Sequence, residues 1–179
     1  MTKPQKWPPC DADIQRFVPQ LLNRLIRVLN CQLTGIYLHG SLAMGSYYRP
    51  KSDIDLIVVV KEKLASHLAE KVSRAIAEEA GYRPVTGNVE LSVITAETAE
   101  FIPIPSPYEV HYSTEWHDKI LNGQVDYTAV RIDPDLPSHF TYVIQRGICL
   151  YGQPIKETFG NVSWEHFMCA VQDDLEWIL

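Results

Sequence analysis

The run Asp53-Ile-Asp-Leu-Ile-Val-Val-Val60 constrains the fold of this chain more than any other stretch. β-Branched residues crowd it, and turn-forming residues (Pro50, Ser52) precede it, so it reads as a strand rather than a helix. Its apolar part is far short of the roughly 20 residues that a bilayer span needs. Nearly continuous apolar character predicts burial on both faces, hence a central position in a sheet. The two aspartates then stand at the start of a buried strand. Alternation sends both carboxylates to one face while Ile54 and Leu56 take the other. Their attachment points lie about 7 Å apart along the strand. Two like charges so placed repel unless a hard cation sits between them, and Mg²⁺ shared with substrate phosphates is the usual solution.

The surrounding pattern predicts what packs on that strand. Asp11 or Asp13 caps a helix whose apolar stripe is Phe17, Leu21, Leu22, Leu25, Val28 and Leu29. Asn30 to Thr34 breaks it, and Gly35 to His39 forms a short strand ending in Gly40-Ser41. Lys61 to Ala80 is a helix with Leu64, Leu68, Val72 and Ile76 inward and Gly81 as its stop. Asn88 to Thr95 alternates as a third strand, whose second face begins with Glu90 and becomes apolar. Ile102 to Pro107 is a stiff linker. Tyr108 to Leu121 and Pro137 to Leu150 are predicted as helices ended by Gly123 and Gly152, and Ser163 to Leu179 as a last one. Strand-helix-strand order up to residue 95 argues for an α/β domain with a mostly helical tail.

Three pieces of this pattern carry chemistry. Gly40-Ser41 follows a strand, where a glycine lets backbone approach a ligand and the next amides and the Ser41 hydroxyl can hold phosphate oxygens. Asp53 and Asp55 supply the paired carboxylates, and Glu90 on a neighbouring strand can complete an acidic cluster. Singly, these are a turn, a polar strand face and a solvated glutamate. Together they are the parts of in-line attack on an α-phosphate: a metal site, a phosphate cradle and a base.

Composition narrows the partners. Lys plus Arg number 16 against 22 Asp plus Glu, a formal charge of −6. That balance offers no basic footprint for nucleic acid; it suits a small or cationic partner, or solubility alone. Cys10, Cys31, Cys149 and Cys169 form no CxxC pair and read as buried thiols of a reducing compartment. MTKPQKWPPC lacks an apolar signal-peptide core, which predicts a cytoplasmic protein with no membrane association. His111, His117 and His139 have no HxxxH or cysteine partner and are not expected to bind metal. His39-Gly-Ser41 lacks the G-x-S-x-G elbow of a serine nucleophile. Asp173-Asp-Leu-Glu176 reads as a solvated helix face or a holder of a polycation.

The string LHGSLAMGSYYRPKSDIDLIVVV resembles the signature of the DNA-polymerase-β-like nucleotidyltransferases. Leu33 to Val60, VELSVIT (Val89 to Thr95), EVHYSTEWHDKILNG and RIDPDLPSHF resemble more closely the streptomycin/spectinomycin adenylyltransferases, which transfer AMP from ATP to a drug hydroxyl. The resemblance implies a mixed twisted sheet flanked by helices, with residues 1–155 as catalytic domain and 156–179 beginning an incomplete helical substrate domain. It implies two Mg²⁺ on Asp53 and Asp55, Gly40, Ser41 and Ser52 at the triphosphate of ATP, and Glu90 as base within the metal cluster. It places Trp116 in the drug site and Asp135 near the nucleotide; by residue type alone Trp116 is a core aromatic. The last helix has Phe167, Val171, Leu175, Trp177 and Ile178 on one face, which is expected to be covered by a partner or a second copy. Two other outcomes fit the same site: a minimal transferase that adenylylates a protein, as in toxin–antitoxin pairs, and a non-catalytic nucleotide-binding remnant.

Overall fold

The computed structural model describes residues 10–84, 87–164 and 168. Its centre is a five-stranded mixed sheet of β1 (Leu33–His39), β2 (Ile54–Val60), β3 (Val89–Thr95), β5 (Val110–Tyr112) and β7 (Ile148–Gly152), in the order β5-β3-β2-β1-β7. β2 is therefore central, as its apolar run predicts. It runs antiparallel to β1 and parallel to β3, and the parallel step needs a crossover, made by α3 (Ser66–Ala80).

The two sides of β2 feed two cores. Leu56, Val58 and Val60 join a large cluster with α3 and with α1 (Ala12–Leu29), which contributes Ile14, Phe17, Val18, Leu21, Leu22, Leu25 and Leu29. Val28 is only half-buried, at the border of the stripe. Ile57 and Val59 join a second cluster built on Tyr37, Ile94 and Phe140. That side is covered by α6 (Leu136–Arg146), with α4 (Ala96–Phe101) and α7 (Ile155–Thr158) against it. Asp11 occupies the N-cap position of α1 without a side-chain capping bond, and its carboxylate accepts from Arg49.

Several sequence expectations are corrected. Lys61 to Ala65 lies outside α3; Leu64 is buried nonetheless, and its amide donates to the Glu109 carboxylate at 2.8 Å. Thr95 caps α4, which periodicity missed: its hydroxyl oxygen accepts from the Thr98 amide. Tyr108 to Leu121 is not one helix. It holds the end of β4 (Ser106–Tyr108), then β5, a 3₁₀ turn at Thr114–Trp116 and α5 (His117–Leu121). Val110 and Tyr112 are buried around a half-buried His111, a period of two, because they complete the open edge of β3. β4 pairs with β6 (Arg131–Asp133). The helix predicted to Leu150 ends at Arg146, and Ile148–Gly152 becomes β7 because β1 offers an unpaired edge. The thiols are not all buried: Cys31 is exposed, Cys10 and Cys149 half-buried, and all three are free. The segment predicted as the final helix, with Cys169 and the Asp173 to Glu176 face, lies outside the described residues beyond Trp164 apart from Met168. No helix among the described residues is long and apolar enough to cross a membrane.

Candidate active site

Strand register assembles the acidic cluster. Asp55 sits beside Glu90 on parallel β3 and opposite His39 on antiparallel β1, so all three belong to one end of the sheet. Asp53 precedes β2 and is turned toward β3, where its Oδ1 accepts the Asn88 amide at 2.6 Å. Among the described residues, Asp53, Asp55 and Glu90 offer carboxylate oxygens all within 4.8 Å of one another, and each residue is half-buried. Burial first, then the Glu90 and Asp53 charges, push the Asp55 carboxyl up to about 7. A carboxylate so disfavoured when ionised is relieved by a bound cation. Three hard oxygen donors within 4.8 Å of one another suit a hard cation such as Mg²⁺ rather than a softer metal.

Two glycines permit this crowding. Gly40 has φ +64, and a Cβ there would collide with the Asp55 carboxylate, so the turn after β1 can lie against the acidic cluster only without a side chain. Gly87 lies against the backbone of Ser52, bringing the approach to β3 onto the approach to β2. Ser41 stands in α2 (Gly40–Met44), its carbonyl accepting the Ser46 amide at 3.0 Å. Ser52 closes a tight turn: its amide donates to the Tyr48 carbonyl at 2.8 Å, and its hydroxyl accepts the Tyr48 amide at 2.9 Å. Gly40, Ser41, Ser52, Asp53, Asp55 and Glu90 thus gather at one rim.

Trp116 and Asp135 are not among the residues brought into the acidic cluster. Trp116 is half-buried against the larger core, with Lys119 Nζ 5.0 Å and Arg131 Cζ 5.2 Å from its ring centroid. Its turn is tied to the site through the Thr114 hydroxyl, which donates to the Asn88 side-chain carbonyl. Asp135 holds the N-cap position of α6, its amide donating to Asp133 Oδ1 at 2.9 Å. α6 packs on β1 and α2.

In the sequence His39 figures only as the neighbour of Gly40-Ser41. It is 4% exposed, its Nδ1 has no hydrogen-bond partner among the described residues, and its ring lies 5.1 Å from that of His139. Burial, then the charge of His139, hold it down at about 3, so it is neutral. The signal that finds it is its register opposite Asp55, which exists only once β1 and β2 are paired. His111 and His117 bond hydroxyls, of Ser92 and Tyr112, each at 3.0 Å. A cavity of about 460 Å³ lined by Thr95, Phe101, Tyr108 and Val130 lies at the other end of β3, roughly 17 Å from Glu90 by strand rise. It is not part of this site.

Residues 19–114, from within α1 to just past β5, match the nucleotidyltransferase domain. The chain belongs to that family. It is also similar to the spectinomycin 9-adenylyltransferase of Campylobacter jejuni, 26% identical over 165 residues that make up 88% of this chain and 62% of the relative. Among solved structures it resembles the spectinomycin adenyltransferase of Enterococcus faecialis determined with ATP and spectinomycin, at TM-score 0.77 and 21% identity. That alignment covers 90% of this chain and 66% of the other, and at this identity shows a shared fold. The chain therefore spans less than two thirds of the length of both. A toxin–antitoxin structure with AMP-PNP aligns at TM-score 0.40 and 14% identity over 88% of this chain and 87% of its own, a likeness too distant to carry an argument.

Proposed function

We propose that this chain transfers AMP from ATP, in a Mg²⁺-dependent reaction, to a hydroxyl of an aminoglycoside-type antibiotic such as spectinomycin, and so confers resistance. The observation that carries the reading is the convergence of Asp53, Asp55 and Glu90 within 4.8 Å, beside a glycine whose missing side chain admits a ligand. Family membership supports the reaction type, and the similarity to spectinomycin adenylyltransferases supports the acceptor.

Asp53 and Asp55 would hold the ion, with two ions expected and Glu90 closing the cluster. When bound, Mg²⁺ supplies positive charge against the triphosphate. Gly40, Ser41 and Ser52 present backbone and hydroxyl donors to the phosphate oxygens, with Asp135 at the nucleotide side and Trp116 toward the acceptor. In the reaction the acceptor oxygen bonds to the α-phosphorus, the bond to the bridging oxygen breaks, and pyrophosphate leaves. Glu90 takes the proton from the attacking hydroxyl. Residues 1–155 form the catalytic domain in this reading, and 156–179 begin the helical part that contacts the drug. In this reading a second copy or a partner covers the apolar residues Phe167, Val171, Leu175, Trp177 and Ile178. ATP as co-substrate and three free cysteines fit the cytoplasm.

The test is pyrophosphate release from ATP and Mg²⁺ with streptomycin, spectinomycin and lincosamides offered in turn, joined to the mass of the drug. A gain of one AMP on one drug, lost in Glu90→Gln, is the expected result. A drug mass that never changes while the protein binds ATP tightly would refute the acceptor assignment.

A further inference from the structure

Arg49 belongs neither to the acidic cluster nor to any strand or helix, yet it makes a dense set of charged bonds. It lies inside the turn that ends in Ser52, where the Tyr48 carbonyl accepts the amides of Lys51 at 3.0 Å and Ser52 at 2.8 Å. From that turn its guanidinium reaches two other parts of the fold. Nη1 donates to Asp11 Oδ2 at 2.6 Å and to Asp13 Oδ1 at 3.0 Å. Nη2 donates to Asp13 Oδ2 at 2.6 Å and to the Pro84 carbonyl at 2.8 Å. One planar fork thus spans the N-terminus of α1, the turn before Asp53 and the connection from α3 to β3.

We propose that Arg49 is a positioning residue, whose fork fixes the Ser52–Asp53 segment against the approach to β3 and so sets the affinity for MgATP. This rests on the reading of Ser52 and Asp53 as part of a nucleotide and metal cradle. The far side of the segment is already tied: Asn88 donates to Asp53 Oδ1 at 2.6 Å, Arg83 Nε donates to the Gly87 carbonyl at 2.9 Å, and Gly87 rests on Ser52. Arg49 adds the bond to Pro84 and anchors the whole to α1. Its side chain is 42% exposed, and those of Asp11 and Asp13 are 54% and 29% exposed. Ion pairs so open to solvent add little to global stability. A bidentate fork on a carboxylate nevertheless fixes orientation, which a lysine, as a point charge, cannot reproduce. The pairing is strong enough to hold the Asp13 carboxyl down at about 2, so both partners are charged wherever the protein works.

Two rival roles predict the opposite sign at Asp13. If Arg49 acted only through its charge, or touched a phosphate directly, removing the Asp13 charge would leave nucleotide binding unchanged or tighten it, since an anion would meet less repulsion. If Arg49 positions, Asp13→Asn weakens binding, because the fork loses its partner.

The experiment measures MgATP affinity by calorimetry, with KM and kcat, for Arg49→Gln, Arg49→Lys, Asp13→Asn and the Arg49→Gln/Asp13→Asn double variant, with Asp53→Asn as control. Arg49→Gln and Asp13→Asn should each raise Kd and KM about tenfold while kcat stays within about twofold. The double variant should be no worse than the worse single one, and Arg49→Lys should recover little. Unchanged or tighter MgATP binding by Asp13→Asn overturns the proposal, as does a loss confined to kcat and melting temperature. Should Arg49→Gln fail to fold, Asp13→Asn decides alone. If Asp53→Asn binds MgATP like wild type, the cradle reading itself fails; if that control loses binding while Arg49→Gln keeps it, only the role of Arg49 fails.

Discussion

The two ends of β2 are built from the same strand and do opposite things. From Leu56 to Val60 every side chain is buried, alternately in one core and then the other, and this end holds the sheet together. At the other end Asp53 and Asp55 bring like charge to Glu90 in a half-buried setting, and the Asp55 carboxyl is pushed up to about 7. Nothing in folding asks for that arrangement. The apolar half supplies the stability that lets the acidic half exist in a metal-free chain.

Substitutions can separate the halves. The largest effect is expected at the acidic end: Asp55→Asn should cut AMP transfer by about a thousandfold while raising the melting temperature of the metal-free protein by about 3 °C. A variant that lost activity and stability together, by thermal denaturation, would break the contrast. Ile57→Ala, one turn of the pleat further along, should do the reverse. It costs about 3 kcal/mol of unfolding free energy by denaturant titration, and the folded fraction keeps its KM for ATP.

Proton linkage gives a third separation. The folded Asp55 carboxyl titrates above its ordinary value of 3.8, so the native state binds more protons than the unfolded chain between about pH 4 and pH 7. Stability from this group is therefore full at the acid side and lost as pH rises through about 7. Mg²⁺ should reverse the loss at pH 8, and calorimetry near pH 7 should detect proton release on Mg²⁺ binding. A metal-free melting temperature that rose steadily with pH, after Asp55→Asn had removed no slope, would contradict this. The smallest effect is expected beyond the apolar end of the sheet, where Val130 is 73% exposed beside the distant cavity. Val130→Ser should change stability by less than about 0.5 kcal/mol and leave transfer unaltered.

The parts legible in the sequence were those written along one element. A β-branched apolar run bounded by turn residues located β2, a short apolar run β1, alternation β3, and helical spacing α1 and most of α3. The offset of two between Asp53 and Asp55 placed both carboxylates on one face without any tertiary knowledge. β5 and β7 were not legible, because each is an edge strand that forms only where β3 or β1 leaves unpaired backbone groups. His39 and Arg49 escaped for the same reason. The one is defined by its register opposite Asp55, the other by two segments distant in sequence that meet at its fork.

The central claim is that the acidic end is a metal-dependent nucleotide site, and the direct measurement is calorimetric titration of ATP into the protein with and without Mg²⁺, repeated with Asp53→Asn. The account predicts binding that requires Mg²⁺ in the wild type and disappears in Asp53→Asn although that variant remains folded. Binding of equal strength without Mg²⁺, or undiminished in Asp53→Asn, would contradict it.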